Sequence, residues 1–79
     1  MALIIRVFDK NNRTKPLSGI TVGISRPRII GREIPTKKTN SEGKAFFELK
    51  SCNAIVTING ITSQKEEFLK DDMENVFYI

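Results

Sequence analysis

No histidine and no tryptophan occur among the 79 residues, and cysteine and tyrosine occur once each. Without histidine, Ser–His and Cys–His nucleophilic pairs are excluded, along with the commonest metal ligand. The lone Cys52 has no partner for an internal disulfide, which agrees with a reducing compartment, and it reads as a small, partly buried side chain. No glycine-rich loop precedes a helical pattern, so a nucleotide-phosphate cradle has no basis. Asp71, Asp72 and Glu74 cluster but lack the spacing and glycine of a calcium loop, and a solvated acidic turn is expected there. The apolar start, residues 2–5, is too short for a signal peptide or a membrane span. These absences predict a chain that is not an enzyme, takes no cofactor, metal or small-molecule substrate, and does not enter a membrane. It reads as cytoplasmic, or as a fragment of a secreted or spike-type protein.

What is present is one small domain with an uneven charge. Residues 1–50 hold eleven Lys/Arg against four acids, or +7, while residues 51–79 hold two Lys against five acids, or −3. So small a chain has a limited core, and assembly with a protein partner or a second copy would add to it. The basic half would steer acidic partners or nucleic acid; the two halves would equally attract each other or another copy.

The hydrophobic pattern has a period of two almost throughout, the signature of β-strands. In residues 2–9, Leu3, Ile5 and Val7 alternate with Ile4, Arg6 and Phe8, and because both sides are partly apolar, cover on both is expected. Residues 10–16 form a polar turn. In residues 19–25, Ile20, Val22 and Ile24 face one way and Thr21, Gly23 and Ser25 the other, leaving room for a close neighbour on the small side. Residues 44–50 place Ala45, Phe47 and Leu49 opposite Lys44, Phe46 and Glu48. Ala54, Val56 and Ile58 then share a face ahead of Asn59-Gly60, the strongest hairpin signal in the chain, which predicts a partner strand from Ile61. Residues 62–75 are ambiguous. Ser63 and Glu66 have the spacing of a helix-capping box, with Leu69, Met73, Val76 and Phe77 at helical intervals, so one short helix near 63–73 is an alternative. Two strands joined by a turn at Asp71-Asp72 are favoured.

Two motifs give these strands an overall plan. Lys15-Pro16-Leu17-Ser18-Gly19-Ile20-Thr21-Val22 opens the second long strand, and Thr39-Asn40-Ser41-Glu42-Gly43-Lys44-Ala45-Phe46-Phe47-Glu48-Leu49 is a turn running into a strand. Together with residues 54–60 they resemble the transthyretin-like, or carboxypeptidase regulatory-like, β-sandwich family. The resemblance implies an all-β, small Greek-key, prealbumin-like sandwich of about seven antiparallel strands. The family's aspartate in the turn is Asn40 here, which keeps a side-chain acceptor but loses the charge. Pilin and adhesin relatives form an isopeptide bond from a first-strand lysine. Arg6 stands at that place, and its guanidinium does not serve as the amine, so no crosslink to Asn75 is expected. Relatives often act as appended adaptor domains, including on phage or secretion-spike proteins.

Residues 26–38 break the rhythm, with Pro27, Gly31 and Pro35 among basic side chains. Proline confines a strand here to a sheet edge, where basic residues discourage stray pairing. As a working surface, Arg26, Arg28, Ile29, Ile30, Arg32, Lys37 and Lys38 form a candidate partner-binding ribbon. The first expectation is a non-catalytic protein-interaction module or adaptor subunit using this ribbon and a sandwich edge, with Ile34 as a further apolar anchor. The alternative is a nucleic-acid-binding protein gripping phosphates through the same ribbon. No exposed aromatic stripe that would stack single-stranded bases is evident from the sequence.

Overall fold

The computed structural model describes residues 2–26, 34–62 and 66–79. They form nine strands and no helix: β1 (Leu3–Asp9), β2 (Asn12–Pro16), β3 (Thr21–Ser25), β4 (Lys37–Lys38), β5 (Lys44–Phe47), β6 (Cys52–Ile58), β7 (Ile61–Thr62), β8 (Glu67–Leu69) and β9 (Glu74–Tyr78). The first sheet is built on β1, which pairs with β2, β5 and β9; the second runs β4-β3-β6, with β7 and β8 pairing successive parts of β6. The two sheets pack as a small β-sandwich.

Alternation decides which residues fill the space between the sheets. Leu3, Ile5 and Val7 of β1 and Ala45 and Phe47 of β5 meet Val22 and Ile24 of β3, Ala54, Val56 and Ile58 of β6, and Leu69 of β8. Leu3, Ile5, Val7, Val22 and Ala54 are completely buried. Each of the four larger ones contributes roughly 1.5–3 kcal/mol of burial free energy, and Ala54 less. Gly23 is also buried, on the other side of β3, and the expected close neighbours are Thr36 and Thr57, whose side chains would lie 3.5 and 3.6 Å from a Cβ added there.

Three features depart from the expected plan. More strands are described than the seven or so expected, because long edges are interrupted. Val7 shows how: its N–H donates to Gly43 O at 2.8 Å and its C=O accepts from Leu17 N at 3.0 Å, so one edge of β1 passes from β5 to β2 at a single residue. The second departure is that β9 runs parallel to β1, with Ile5 opposite Asn75 and Phe8 opposite Tyr78, whereas the other strand pairs are antiparallel. The chain enters β9 from the far sheet and not from a hairpin, so nothing forces reversal. The third is the outer face of β1. Ile4, Arg6 and Phe8 are half-buried as expected, yet their cover comes from neighbours on the same face and not from another layer.

Within residues 62–75, the described part is strand and turn: β8 pairs Cys52↔Leu69, Asn53↔Phe68 and Ala54↔Glu67, and a turn precedes β9. Sheet pairing sends Leu69 into the core, which a helix at this edge would not do together with those backbone bonds. Ser63, the head of the capping box, lies outside the described residues.

Local chemistry explains the turns. Asn40 Oδ1 accepts from Glu42 N and Lys44 N at 2.9 and 3.1 Å, while Gly43 N donates to Asn40 O. The acceptor is what the turn uses, and asparagine supplies it as well as aspartate does. Gly43 has a φ of 75°, and an added Cβ would sit 2.6 Å from Val7 O. Only glycine fits where β1 changes partner. Asn59 and Gly60 take φ of 51° and 79°, and Ile58 pairs with Ile61, as the Asn-Gly signal requires. Thr39 is the buried polar residue of the core: its hydroxyl donates to Leu17 O at 2.7 Å and accepts from Ile20 N at 2.9 Å, tying the β2–β3 connection to the chain before β5.

Candidate functional site

Of the seven residues of the basic ribbon, Arg26, Lys37 and Lys38 are described, whereas Arg28, Ile29, Ile30 and Arg32 lie outside the described residues. The described three do not form one patch. Lys38 pairs with Thr21 and Lys37 with Val22, so the two lysines project to opposite sides of the second sheet. Lys37 and Arg26 instead meet at a cleft of about 720 Å³, lined also by Ala2, Ile34, Pro35 and residues 46–49. The cleft lies where β4, the margin of one sheet, approaches β5, the margin of the other. Its floor is apolar, from Ile34, Phe47 and Leu49, all packed on the core, and its rim carries Arg26, Lys37 and Glu48. Among the described residues β5 pairs only with β1 and β4 only with β3.

The other candidate groups have local partners. Ser51 Oγ donates to Asp71 Oδ1 at 2.9 Å and accepts from Asp71 N, and Asp72 Oδ1 accepts from Ala2 N at 3.4 Å. Glu74 accepts from Arg6 Nη1 at 2.9 Å, with Lys44 Nζ at 3.3 Å. The three acids thus serve three different contacts, and no cluster able to hold a metal ion occurs among the described residues. Burial raises the Cys52 thiol above its ordinary pKa, with Arg26 pulling weakly the other way, so the thiol form is favoured. Asn75 shares the inward side with Ile5, while Arg6 projects outward. The Asn75 amide donates to Ile4 O and Lys70 O at 2.9 Å and accepts from Lys70 N at 3.0 Å, closing the turn before β9.

An exposed aromatic group does exist, contrary to expectation. Strand register sets three rows on the outer face of the first sheet: Phe46, Ile4 and Glu74; Lys44, Arg6 and Val76; Pro16, Phe8 and Tyr78. Phe46, Val76 and Tyr78 are 48, 41 and 44 % exposed. Phe8 and Tyr78 stack with centroids 6.0 Å apart; the Arg6 guanidinium lies 4.7 Å from the Phe8 centroid and that of Arg13 lies 4.6 Å from Tyr78. The signal was present in the alternation of β1, but Phe8 and Tyr78 are 70 positions apart, and only the parallel pairing brings them together.

No family model, no curated protein and no solved structure matches this chain. No helix among the described residues is long and apolar enough to cross a membrane.

Proposed function

We propose that the chain is a non-catalytic interaction domain that docks an extended segment of a protein partner along its β4/β5 margin. The observation that carries this reading is the cleft itself: an apolar floor of Ile34, Phe47 and Leu49, two sheet margins beside it, and Arg26 and Lys37 on the rim. A margin strand offers main-chain donors and acceptors to an added strand, and pockets beside it choose side chains. The rim cations favour a partner segment carrying a carboxylate, while the floor takes an apolar anchor. Arg28, Ile29, Ile30 and Arg32 join Arg26 to Ile34 in sequence, and the proposal extends to them as further anchors. The likeness of residues 15–22 and 39–49 to transthyretin-like adaptor domains supports the same reading, including its Greek-key form.

The test is affinity capture from the native host with wild type, the pair Arg26→Glu with Lys37→Glu, and Lys15→Glu as a control away from the cleft. Loss of one partner in the pair but not in the control supports the reading. Full retention of every partner in the pair, and also in Ile30→Asp with Arg28→Glu, removes the surface from consideration.

A further inference from the structure

We propose that the outer face of the first sheet binds two or three nucleotides of a single-stranded nucleic acid, on a surface that shares only Phe46 with the cleft. The face combines what such a ligand needs. Phe8, Phe46 and Tyr78 offer aromatic surface, and Arg6 and Arg13 lie over two of those rings. Bases stack on aromatic rings and on guanidinium planes alike. Beyond the Phe8–Tyr78 row, the β1–β2 hairpin exposes Lys10 and Arg13. The acid at that end, Asp9, already accepts from Asn11 N at 2.8 Å. Cations at the aromatic end are positioned for phosphates, which supply most of the affinity in such complexes.

Size argues against a protein on this face alone. Three strands about 4.8 Å apart and three rows about 6.8 Å apart cover about 300 Å² in projection, well below the ~800 Å² per partner of a stable protein interface. A short run of nucleotides fits that footprint. A duplex does not suit it, because paired bases hide the faces that would stack. A second copy is disfavoured by charge, since Arg6 and Lys44 stand in the middle row and would meet their equivalents across a twofold axis. Glu74 works against phosphate: it holds Arg6 at 2.9 Å and Lys44 at 3.3 Å and offsets part of their charge. Its removal leaves Arg6 without a carboxylate partner, while Lys44 keeps Glu42 at 3.6 Å.

The experiment is anisotropy of labelled oligodeoxythymidine and oligouridine at low salt, with wild type, Tyr78→Ala, Phe8→Ala and Glu74→Gln. Circular dichroism melting checks that each variant is folded. Expected are saturable binding that weakens steeply with added salt, a loss of about tenfold in each aromatic variant, and tighter binding by Glu74→Gln. Arg26→Gln with Lys37→Gln is expected to weaken binding less than either aromatic variant, which separates this face from the cleft. Absence of binding to either oligonucleotide at low salt overturns the proposal. So does equal binding by wild type and the aromatic variants. Sedimentation showing a dimer that Tyr78→Ala dissociates also overturns it, and assigns the face to a second copy.

Discussion

The two outer faces of this sandwich are built to different specifications. On the second sheet, Thr21, Gly23 and Ser25 of β3 lie beside Asn53, Ile55 and Thr57 of β6, small or neutral side chains with Lys38 at the β4 margin and Phe68 at the β8 margin. On the first sheet, three aromatic rings, three cations and a carboxylate crowd a comparable area. Both faces satisfy their backbones through strand pairing, and both send the alternate residues into one core. The difference is therefore not needed to make a sandwich. A face that needed only to be wet would look like the second; the first exposes apolar area and stacked guanidiniums that folding leaves unused.

The sheets also differ in how closely they are held, and the largest expected effect tests that. Gly43→Ala puts a Cβ 2.6 Å from Val7 O at a φ of 75°, whereas Gly60→Ala, with a φ of 79°, meets nothing within 4 Å. Urea unfolding is expected to show a loss on the order of 3 kcal/mol or more at Gly43, where strain and collision add, and about 1 kcal/mol at Gly60, where strain acts alone. Equal losses would show that β1 does not depend on a tight handover from β5 to β2.

Next in size is Thr39→Val. It keeps the shape of a buried side chain but leaves Leu17 O and Ile20 N without the hydroxyl. About 1–3 kcal/mol is expected, with faster amide exchange at Ile20. An unchanged exchange rate would mean the β2–β3 connection is held by its backbone bonds without help.

A smaller pair of changes compares the two faces directly. Tyr78→Ala loses its stacking on Phe8 and its contact with Arg13, and is expected to cost about 1 kcal/mol. Phe68→Ala, 56 % exposed, is expected to stay within about 0.5 kcal/mol. If Phe68→Ala matched it, the rings of the first face would be no more integrated than an isolated one.

The smallest effect is a pH dependence. The hydrogen bond from Arg6, opposed by partial burial and aided by Lys44, holds the Glu74 carboxyl below the ordinary glutamate range. A carboxyl lowered in the folded state contributes stability that is complete above its unfolded value and disappears as pH falls through its folded one. Glu74 is surface-exposed, so the contribution is modest and salt-screened. Comparing urea midpoints at neutral pH and below the ordinary glutamate range, Glu74→Gln is expected to lose less stability than wild type on acidification. A parallel loss in both would show that the Arg6–Glu74 pair does not couple to folding.

Much of the fold was legible because it depends on local rules. The alternation in β1, β3, β5 and β6 marks the buried residues, and Asn59-Gly60 marks its own turn, since left-handed backbone favours few residues. Asn40 was readable as a turn acceptor because its short side chain bonds the backbone just ahead of it. The candidate surfaces were much less legible. Lys37 and Lys38 look like one basic run, yet neighbours in a strand point to opposite sides, and only Lys37 reaches the cleft. The cleft joins Arg26 and Ile34 to residues 46–49, and no local pattern announces that meeting.

By itself the sequence determined an all-β chain with Leu3, Ile5, Val7, Val22, Ile24, Ala54, Val56 and Ile58 inside, because a period of two leaves a half-buried strand little choice of face. It also determined that histidine chemistry is absent. Only the tertiary structure decided that β9 lies parallel to β1 and that Phe8, Tyr78, Arg6 and Arg13 form one surface. The reason is physical. Which side of a strand faces inward is set by its own residues, but which strand lies beside it is set by the packing of the whole chain.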